Sequence, residues 1–192
     1  MPAARSSSPY KRDTRARLIK AATDVVARQG FHSASVDAIA KRAGYSIGAL
    51  YWNFASKDEL FLAVFDEHVK WFERQLREAV AAPDTARRAT DWLELSVKRS
   101  EQFLIFVEFW SYAVRKPKVR KAFAERMRRM REATAQALRE RADATGKQPA
   151  IPVELAAALG LAVGRGLAME KLADPDAVDD EAIAQLFAAL SA

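Results

Sequence analysis

The chain has 192 residues, half of them hydrophobic, with no cysteine, 31 Lys/Arg against 25 Asp/Glu and a formal net charge of +6. That length suits one large domain, or a small one beside a medium one, with enough apolar matter for a sizeable core. Lack of cysteine excludes disulfides, thiol nucleophiles and Cys-ligated zinc. It fits a cytoplasmic protein, for which neither a metal nor a cofactor is expected. The opening MPAARSSSPYKRD has no apolar run behind its charges and does not read as a secretory signal. No segment reaches the roughly 18 uninterrupted apolar residues that suggest a membrane span.

The charge is uneven. Residues 1–60 hold ten Lys/Arg and five Asp/Glu, whereas residues 61–192 hold twenty-one and twenty. A basic first third beside a nearly neutral remainder suggests a polyanion-binding unit attached to something else. A merely solvated basic surface is the plainer alternative.

Helical spacing of apolar residues dominates, so the fold class expected is all-α, with about nine helices. Residues 1–12, Ser-rich and basic, read as a flexible arm. Its Arg5, Lys11 and Arg12 either follow a DNA backbone, enter a minor groove or belong to a solvated tail. A first helix is expected over about Asp13–Gln29, with Leu18, Ile19, Ala22, Val25 and Val26 on one face and Gly30 as its stop. Ser35 caps a short helix whose inner face is Val36, Ile39, Ala40 and Ala43. Gly44 ends it, and Ser46 caps a still shorter one with Ile47, Leu50 and Phe54 inward. Ser56 and Glu59 form a capping box opening a long helix to about Ala82. Pro83 breaks that helix, and another is expected over 85–100. Gln102 to Lys116 is apolar nearly all round and reads as a central buried helix. Lys118–Thr145 is long and charged. Pro152 then starts VELAAALGLAVGRGLAMEKL, and a last helix begins at Asp180-Glu181.

Two short helices joined by a Gly-containing turn, Ser35 to Phe54, form a helix-turn-helix pattern. Ala40 is small where the helices cross, and Gly44 sits where the turn requires a positive φ. Ile39 and Leu50 fill the wedge between the helices. The helix N-terminus at Ser46 suits a phosphate. Gly48 and Ala49 keep the second helix slim enough for a major groove about 12 Å wide. Phe54 packs inward, Tyr51 can reach the DNA backbone, and Trp52 reads as half-buried packing.

TRARLIKAATDVVARQGF at 14–31, SVDAIAKRAGYSIGALYWNF at 35–54 and SKDELFLAVF at 56–65 strongly resemble the tetracycline-repressor (TetR-like) family of bacterial transcription regulators. The resemblance covers about the first third of the chain. It implies a DNA-binding domain over 13–57 and a ligand-binding and dimerisation domain over 58–192. It implies a homodimeric, ligand-responsive regulator, usually a repressor, on a near-palindromic DNA operator. Thr14, Ser35, Ser46, Tyr51 and Lys57 would contact phosphates. Arg42, Tyr45, Ile47, Gly48 and Ala49 would face base edges, with Arg42 the candidate guanine contact. Asn53 stands where family members often have His, and its amide can still donate to phosphate.

Family members dimerise through their last two large helices. Leu155, Ala158, Leu159, Ala162, Val163 and Gly166 share one face here, Gly160 and Gly164 form a second small stripe, and Ile183, Leu186, Phe187 and Leu190 follow. Intramolecular packing is the competing reading. An effector pocket would draw on Trp92, Phe103, Phe106, Val107, Trp110, Tyr112, Phe123, Met127, Met130 and Met169, each of which also suits an ordinary core. Glu108 and Arg165 lie on apolar helices, where an unpaired charge is costly. They pair with each other, face the dimer partner or hold a charged ligand. Residues 115–131 hold nine Lys/Arg against Glu125 alone, which fits a solvated face, a DNA contact or an acidic ligand. An enzyme is disfavoured: His32 and His68 lie far apart, and no phosphate loop, nucleophile elbow or metal signature is present, so no catalytic residue is expected. A DNA-binding dimer without an effector is the remaining rival.

Overall fold

The computed structural model describes residues 9–80, 100–179, 181–183 and 185–186. Every regular element among them is helical: α1 (Pro9–Ser33), α2 (Val36–Ala43), α3 (Ile47–Asn53), α4 (Lys57–Val80), α5 (Ser100–Val114), α6 (Pro117–Thr145) and α7 (Val153–Ala173), followed by helical residues at 181–183. The all-α expectation holds. The helix anticipated over 85–100 lies outside the described residues except for Ser100, which opens α5.

α1 starts at Pro9 rather than Asp13, so residues 9–12 of the anticipated arm are helical. Proline has no N–H to lose in a first turn, where that donor lacks an intrahelical partner anyway. At its far end Gly30 adopts φ 75 and ψ 164, a region essentially reserved for glycine. The chain kinks there and adds a last turn, Phe31–Ser33, closed by Ala34 N–H donating to the Gly30 carbonyl at 3.2 Å.

The chain forms two compact units. One comprises Met1–Glu67 with Leu104–Ala122, the other His68–Phe103 with Phe123–Ala192. In the first, Leu18, Val25 and Val26 of α1 are buried with Ile39 and Ala40 of α2, Leu50 and Phe54, Leu60, Phe61 and Phe65 of α4, and Phe109 of α5. Phe31 joins them: its ring centroid lies 4.0 Å from that of Phe61 and 5.5 Å from that of Phe109. Each such ring contributes on the order of 1.5–3 kcal/mol of burial free energy. In the second unit, Val69, Phe72, Phe123, Met130, Ala157, Ala168 and Ile183 are buried.

Candidate nucleic-acid interface

The turn between α2 and α3 follows from its capping chemistry. Ser35 Oγ accepts from the Ala38 N–H at 3.0 Å. Gly44, at φ 74 and ψ 27, takes the left-handed conformation that ends α2. Its N–H donates to Lys41 O at 3.2 Å, and Tyr45 N–H donates to Ala40 O at 3.0 Å. This Schellman pattern satisfies carbonyls the helix end would leave open. Ser46 Oγ then accepts from Ala49 N–H at 3.1 Å and starts α3. Leu50 and Phe54 are wholly buried behind it.

What α3 presents outward is Ile47, Gly48, Tyr51 and Trp52, all exposed, with Ala49 at the edge. Ile47 was expected on the inner side with Leu50. It is 43 % exposed, because it sits in the first turn, beyond the wedge that Leu50 fills. Trp52 was expected to be half-buried and is 78 % exposed. Two residues after Leu50, it falls about 200° round the helix, on the opposite side. A Cβ built on Gly48 meets only Ser46 Oγ, at 3.7 Å, so the fold itself leaves room for a side chain there.

Other anticipated contact residues are placed differently. Thr14 is buried and lies in the second turn of α1, because the helix starts five residues earlier. Asn53 turns back on its own helix: Nδ2 donates to Ala49 O at 2.8 Å, and its buried Oδ1 has no hydrogen-bond partner. Arg42, the candidate guanine reader, is held by the Asp24 carboxylate of α1 at 2.8 Å. Lys57 opens α4 with its ammonium 5.1 Å above the Phe61 ring. Partial burial holds its pKa below the ordinary lysine value, Lys116 lowers it further and Asp58 opposes both. The Ser56–Glu59 box is half made. Glu59 N–H donates to Ser56 Oγ at 3.1 Å, while the Glu59 carboxylate accepts from Ala55 N–H at 2.8 Å.

Sequence reasoning missed the residues that brace this head. Arg15 donates to the Asn53 carbonyl at 2.8 Å and lies 4.1 Å over the Phe54 ring. Glu108 of α5 accepts from Phe31 N–H just past the kink. A Cβ on Gly30 would lie 3.1 Å from Glu108 Oε2, so the glycine is what lets the carboxylate approach. Tyr112 donates to Asp58, and Lys116 reaches the same carboxylate at 3.4 Å. Burial and the Asp58 hydrogen bond raise the Tyr112 pKa. The only advance signal was Glu108 itself, a charge on an apolar helix.

The two short helices and their caps lie within a stretch that matches a known family model. Residues 18–64 match the family model described as "Bacterial regulatory proteins, tetR family". Residues 86–192 match "BetI-type transcriptional repressor, C-terminal". The chain belongs to the TetR family. Its amino-terminal part carries the family's helix-turn-helix unit, and the relatives it matches are named as transcription regulators.

The HTH-type transcriptional activator FasR of Mycolicibacterium smegmatis is 37% identical over 103 residues, 54% of this chain and 44% of that protein. The Fatty acid metabolism regulator protein of Bacillus subtilis is 32% identical over 77 residues, 40% of each chain. The matched stretches thus span less than half of either relative. Salmonella enterica GusR has the same fold, with a TM-score of 0.79, 23% identity, and coverage of 97% of this chain and 98% of that one.

In this TetR-family chain the anticipated pocket residues divide between the units. Phe106, Val107, Glu108 and Trp110 belong to the first, and Phe103, Phe123, Met127, Met130, Arg165 and Met169 to the second. Phe103, Phe106, Phe123, Met127 and Met130 are buried, while Trp110 and Met169 are about half exposed. Trp92 lies outside the described residues. Arg165 Nη2 sits 3.9 Å from Met130 Sδ, and burial, aided by Arg131, lowers its pKa to about 10. A groove of about 590 Å³ in the second unit is lined by Arg128, Arg131, Gln136, Arg139, Glu154 and Ala158 among others. None of the anticipated pocket residues lines it.

Of the anticipated dimer residues, Leu155, Leu159 and Ala162 are exposed on one side of α7, with Gly166 and Met169 continuing the stripe. Gly160 and Val163 are half-buried, and Gly164 is buried. Leu186 is 41% exposed, whereas Ile183 is buried inside the unit and is not part of a free face. Phe187 and Leu190 lie outside the described residues. No described helix is long and apolar enough to cross a membrane.

Proposed function

We propose that this protein is a cytoplasmic homodimeric repressor that binds a near-palindromic operator through α2 and α3 and is released by a small-molecule effector. The observation that carries the DNA reading is the outward face of α3, where a capped N-terminus, an exposed Ile47 and a glycine that the fold does not require lie together. Ser35, Ser46, Tyr51 and Lys57 take phosphates; Tyr45, Ile47, Gly48 and Ala49 face the bases, with methyl contacts to thymine the natural chemistry for Ile47 and Ala49. Thr14 and Asn53 are not part of this set. Arg42 lies at its margin, paired to Asp24.

Dimerisation is supported by the stripe Leu155, Leu159, Ala162, Gly166, Met169, exposed at spacings of four, three, four and three along α7. Small residues at Ala162 and Gly166 let a partner helix approach closely. Two heads on one dimer would engage half-sites about 34–36 Å apart. Repression is favoured by the description of the carboxyl-terminal family match. The domains are a DNA-binding head over 13–57 and a ligand-binding and dimerisation part over 58–192.

For release, an effector would shift α5, whose Glu108, Tyr112 and Lys116 hold Phe31 and Asp58. Moving those contacts re-aims α4 and the head, with a coupling of about 1–3 kcal/mol typical of such systems. A dimer without an effector is the second reading, favoured by the close burial of Phe103, Phe123, Met127 and Met130. Selecting bound fragments from the source genome, with affinities at two salt concentrations, tests the DNA reading. One near-palindromic site with steep salt dependence is expected; unrelated fragments held equally weakly would refute it. Light scattering of the free protein at micromolar concentration checks the dimer.

A further inference from the structure

The unit that carries the helix-turn-helix also contains a basic segment from far along the chain. Met1–Glu67 and Leu104–Ala122 together hold fifteen Lys/Arg and eight Asp/Glu, a net of +7, leaving the other unit sixteen against seventeen. The whole positive excess of the protein therefore lies in one unit. Much of it comes from the corner RKPKVRK, residues 115–121, between α5 and α6.

In that corner Arg115, Lys116, Lys118, Arg120 and Lys121 are exposed, and Val119 is buried. Val119 anchors the backbone of the corner, and the cations project from it into solvent. Lys116 is engaged with Asp58 and Tyr112. Among the described residues, none of Arg115, Lys118, Arg120 and Lys121 has an ion-pair partner. The charges also run against local helix preference. The first turn of α6 has no acidic residue, although a helix start carries partial positive charge, is stabilised by acids and is disfavoured by cations. Lys118 and Arg120 in that turn, with Lys121 directly after them, make sense where an external anion supplies the missing compensation.

The corner adjoins the head. Asp58, which Lys116 contacts, is the residue next to Lys57, and the Lys116 charge depresses the Lys57 pKa. We propose that Arg115, Lys118, Arg120 and Lys121 form an auxiliary polyanion surface that engages the phosphate backbone of DNA flanking the half-site, beyond the stretch read by α3. The partner is duplex DNA of any sequence, since exposed cations spaced along a corner match phosphates and carry no base information. This rests on the assignment of α2 and α3 as the DNA-binding head.

The test compares the operator recovered by selection on two duplexes, one ending at the operator edge and one extended by about one helical turn, roughly 10 base pairs, on each side. Affinities are measured across a salt series for the wild type, Lys57→Gln and the triple variant Lys118→Gln/Arg120→Gln/Lys121→Gln. Each phosphate contact contributes about 0.9 to the slope of log K against log salt. The triple variant is expected to lose about 2 to 3 from the slope on the extended duplex and to match the wild type on the short one. Lys57→Gln weakens both alike. Equal slopes for wild type and triple variant on the extended duplex would overturn the proposal. Failure of the wild type to bind either duplex would instead remove the head assignment, and the proposal with it. Should the triple variant melt early, Lys118→Gln and Lys121→Gln singly carry the test, each with an expected loss of about 1.

Discussion

Arg15 of α1 donates a hydrogen bond at 2.8 Å to the backbone carbonyl of Asn53, the last residue of α3. The same guanidinium lies 4.1 Å above the Phe54 ring and 3.7 Å from the Glu59 carboxylate that caps α4. One side chain thus ties the end of the reading helix to the helices before and after it. α3 has only seven residues, too few to be stable alone, so its orientation depends on such ties. Arg15→Ala should cost about 1–2 kcal/mol in urea unfolding, from one charge-assisted hydrogen bond and a partly exposed cation–π contact. Operator affinity should fall more than affinity for random DNA, because α3 loses its aim before the head loses its charge. An unchanged denaturation midpoint together with unchanged operator affinity would mean that Leu50 and Phe54 suffice to hold α3.

Gly48 offers a test in which stability and function move oppositely. Nothing within the chain obstructs a methyl there, as the nearest atom to a built Cβ is Ser46 Oγ at 3.7 Å. Gly48→Ala should therefore stabilise the protein by up to about 1 kcal/mol through helix propensity. The added methyl points to where DNA is proposed to lie, and operator affinity should drop about tenfold, equivalent to about 1.4 kcal/mol. A variant that is both more stable and equally tight in operator binding would show that α3 does not enter the groove at this residue.

Much of this head was legible in the sequence because its information is local. Ser35, Gly44 and Ser46 each act through backbone groups within five residues, so spacing alone reveals them. Trp52 could also have been placed outward by helical phase, since Leu50 and Phe54 define the inner side. Arg42–Asp24 and Glu108–Phe31 are of another kind, joining residues 18 and 77 apart in the chain. No periodicity reports such a partner, and a charge reads the same whether it awaits a base or is already paired. Thr14 was misplaced for a related reason: a helix start without a cap signature is decided by Pro9, five residues upstream.

The Arg42–Asp24 pair leads to a prediction about specificity. Both side chains are more than a third exposed, so the pair adds little to stability, under about 1 kcal/mol. Its effect is to neutralise a cation at the margin of the DNA surface. Asp24→Asn should leave the melting temperature nearly unchanged and free Arg42 to meet a phosphate. Binding to random duplex should tighten, and the salt slope should rise by about 1. If Arg42 instead reads a guanine with Asp24 holding its orientation, the same substitution would weaken operator binding and leave random-sequence binding unchanged. The two outcomes are opposite in sign and readable in one titration series.

His68 supplies the pH dependence. It lies in the part of α4 that belongs to the second unit, its ring centroid 5.8 Å from that of Trp71. Burial lowers its pKa from 6.5 to about 4, and the Arg165 charge pushes in the same direction. The folded protein therefore resists protonating this imidazole, whereas the unfolded chain accepts the proton near pH 6.5. Between those two values the unfolded state binds more protons, so stability falls as pH falls. The contribution is fully present above about pH 6.5, is lost progressively down to about pH 4, and is on the order of 3 kcal/mol in total. Carboxylates elsewhere titrate in the lower part of the same range, so the informative quantity is the difference between wild type and His68→Gln. Unfolding free energies measured from pH 7 to pH 4 should converge as pH falls, because the variant lacks the group that costs the wild type its stability. Parallel curves for the two proteins would mean that His68 takes up its proton in the folded state as readily as in the unfolded one, and that the ring is hydrated rather than enclosed.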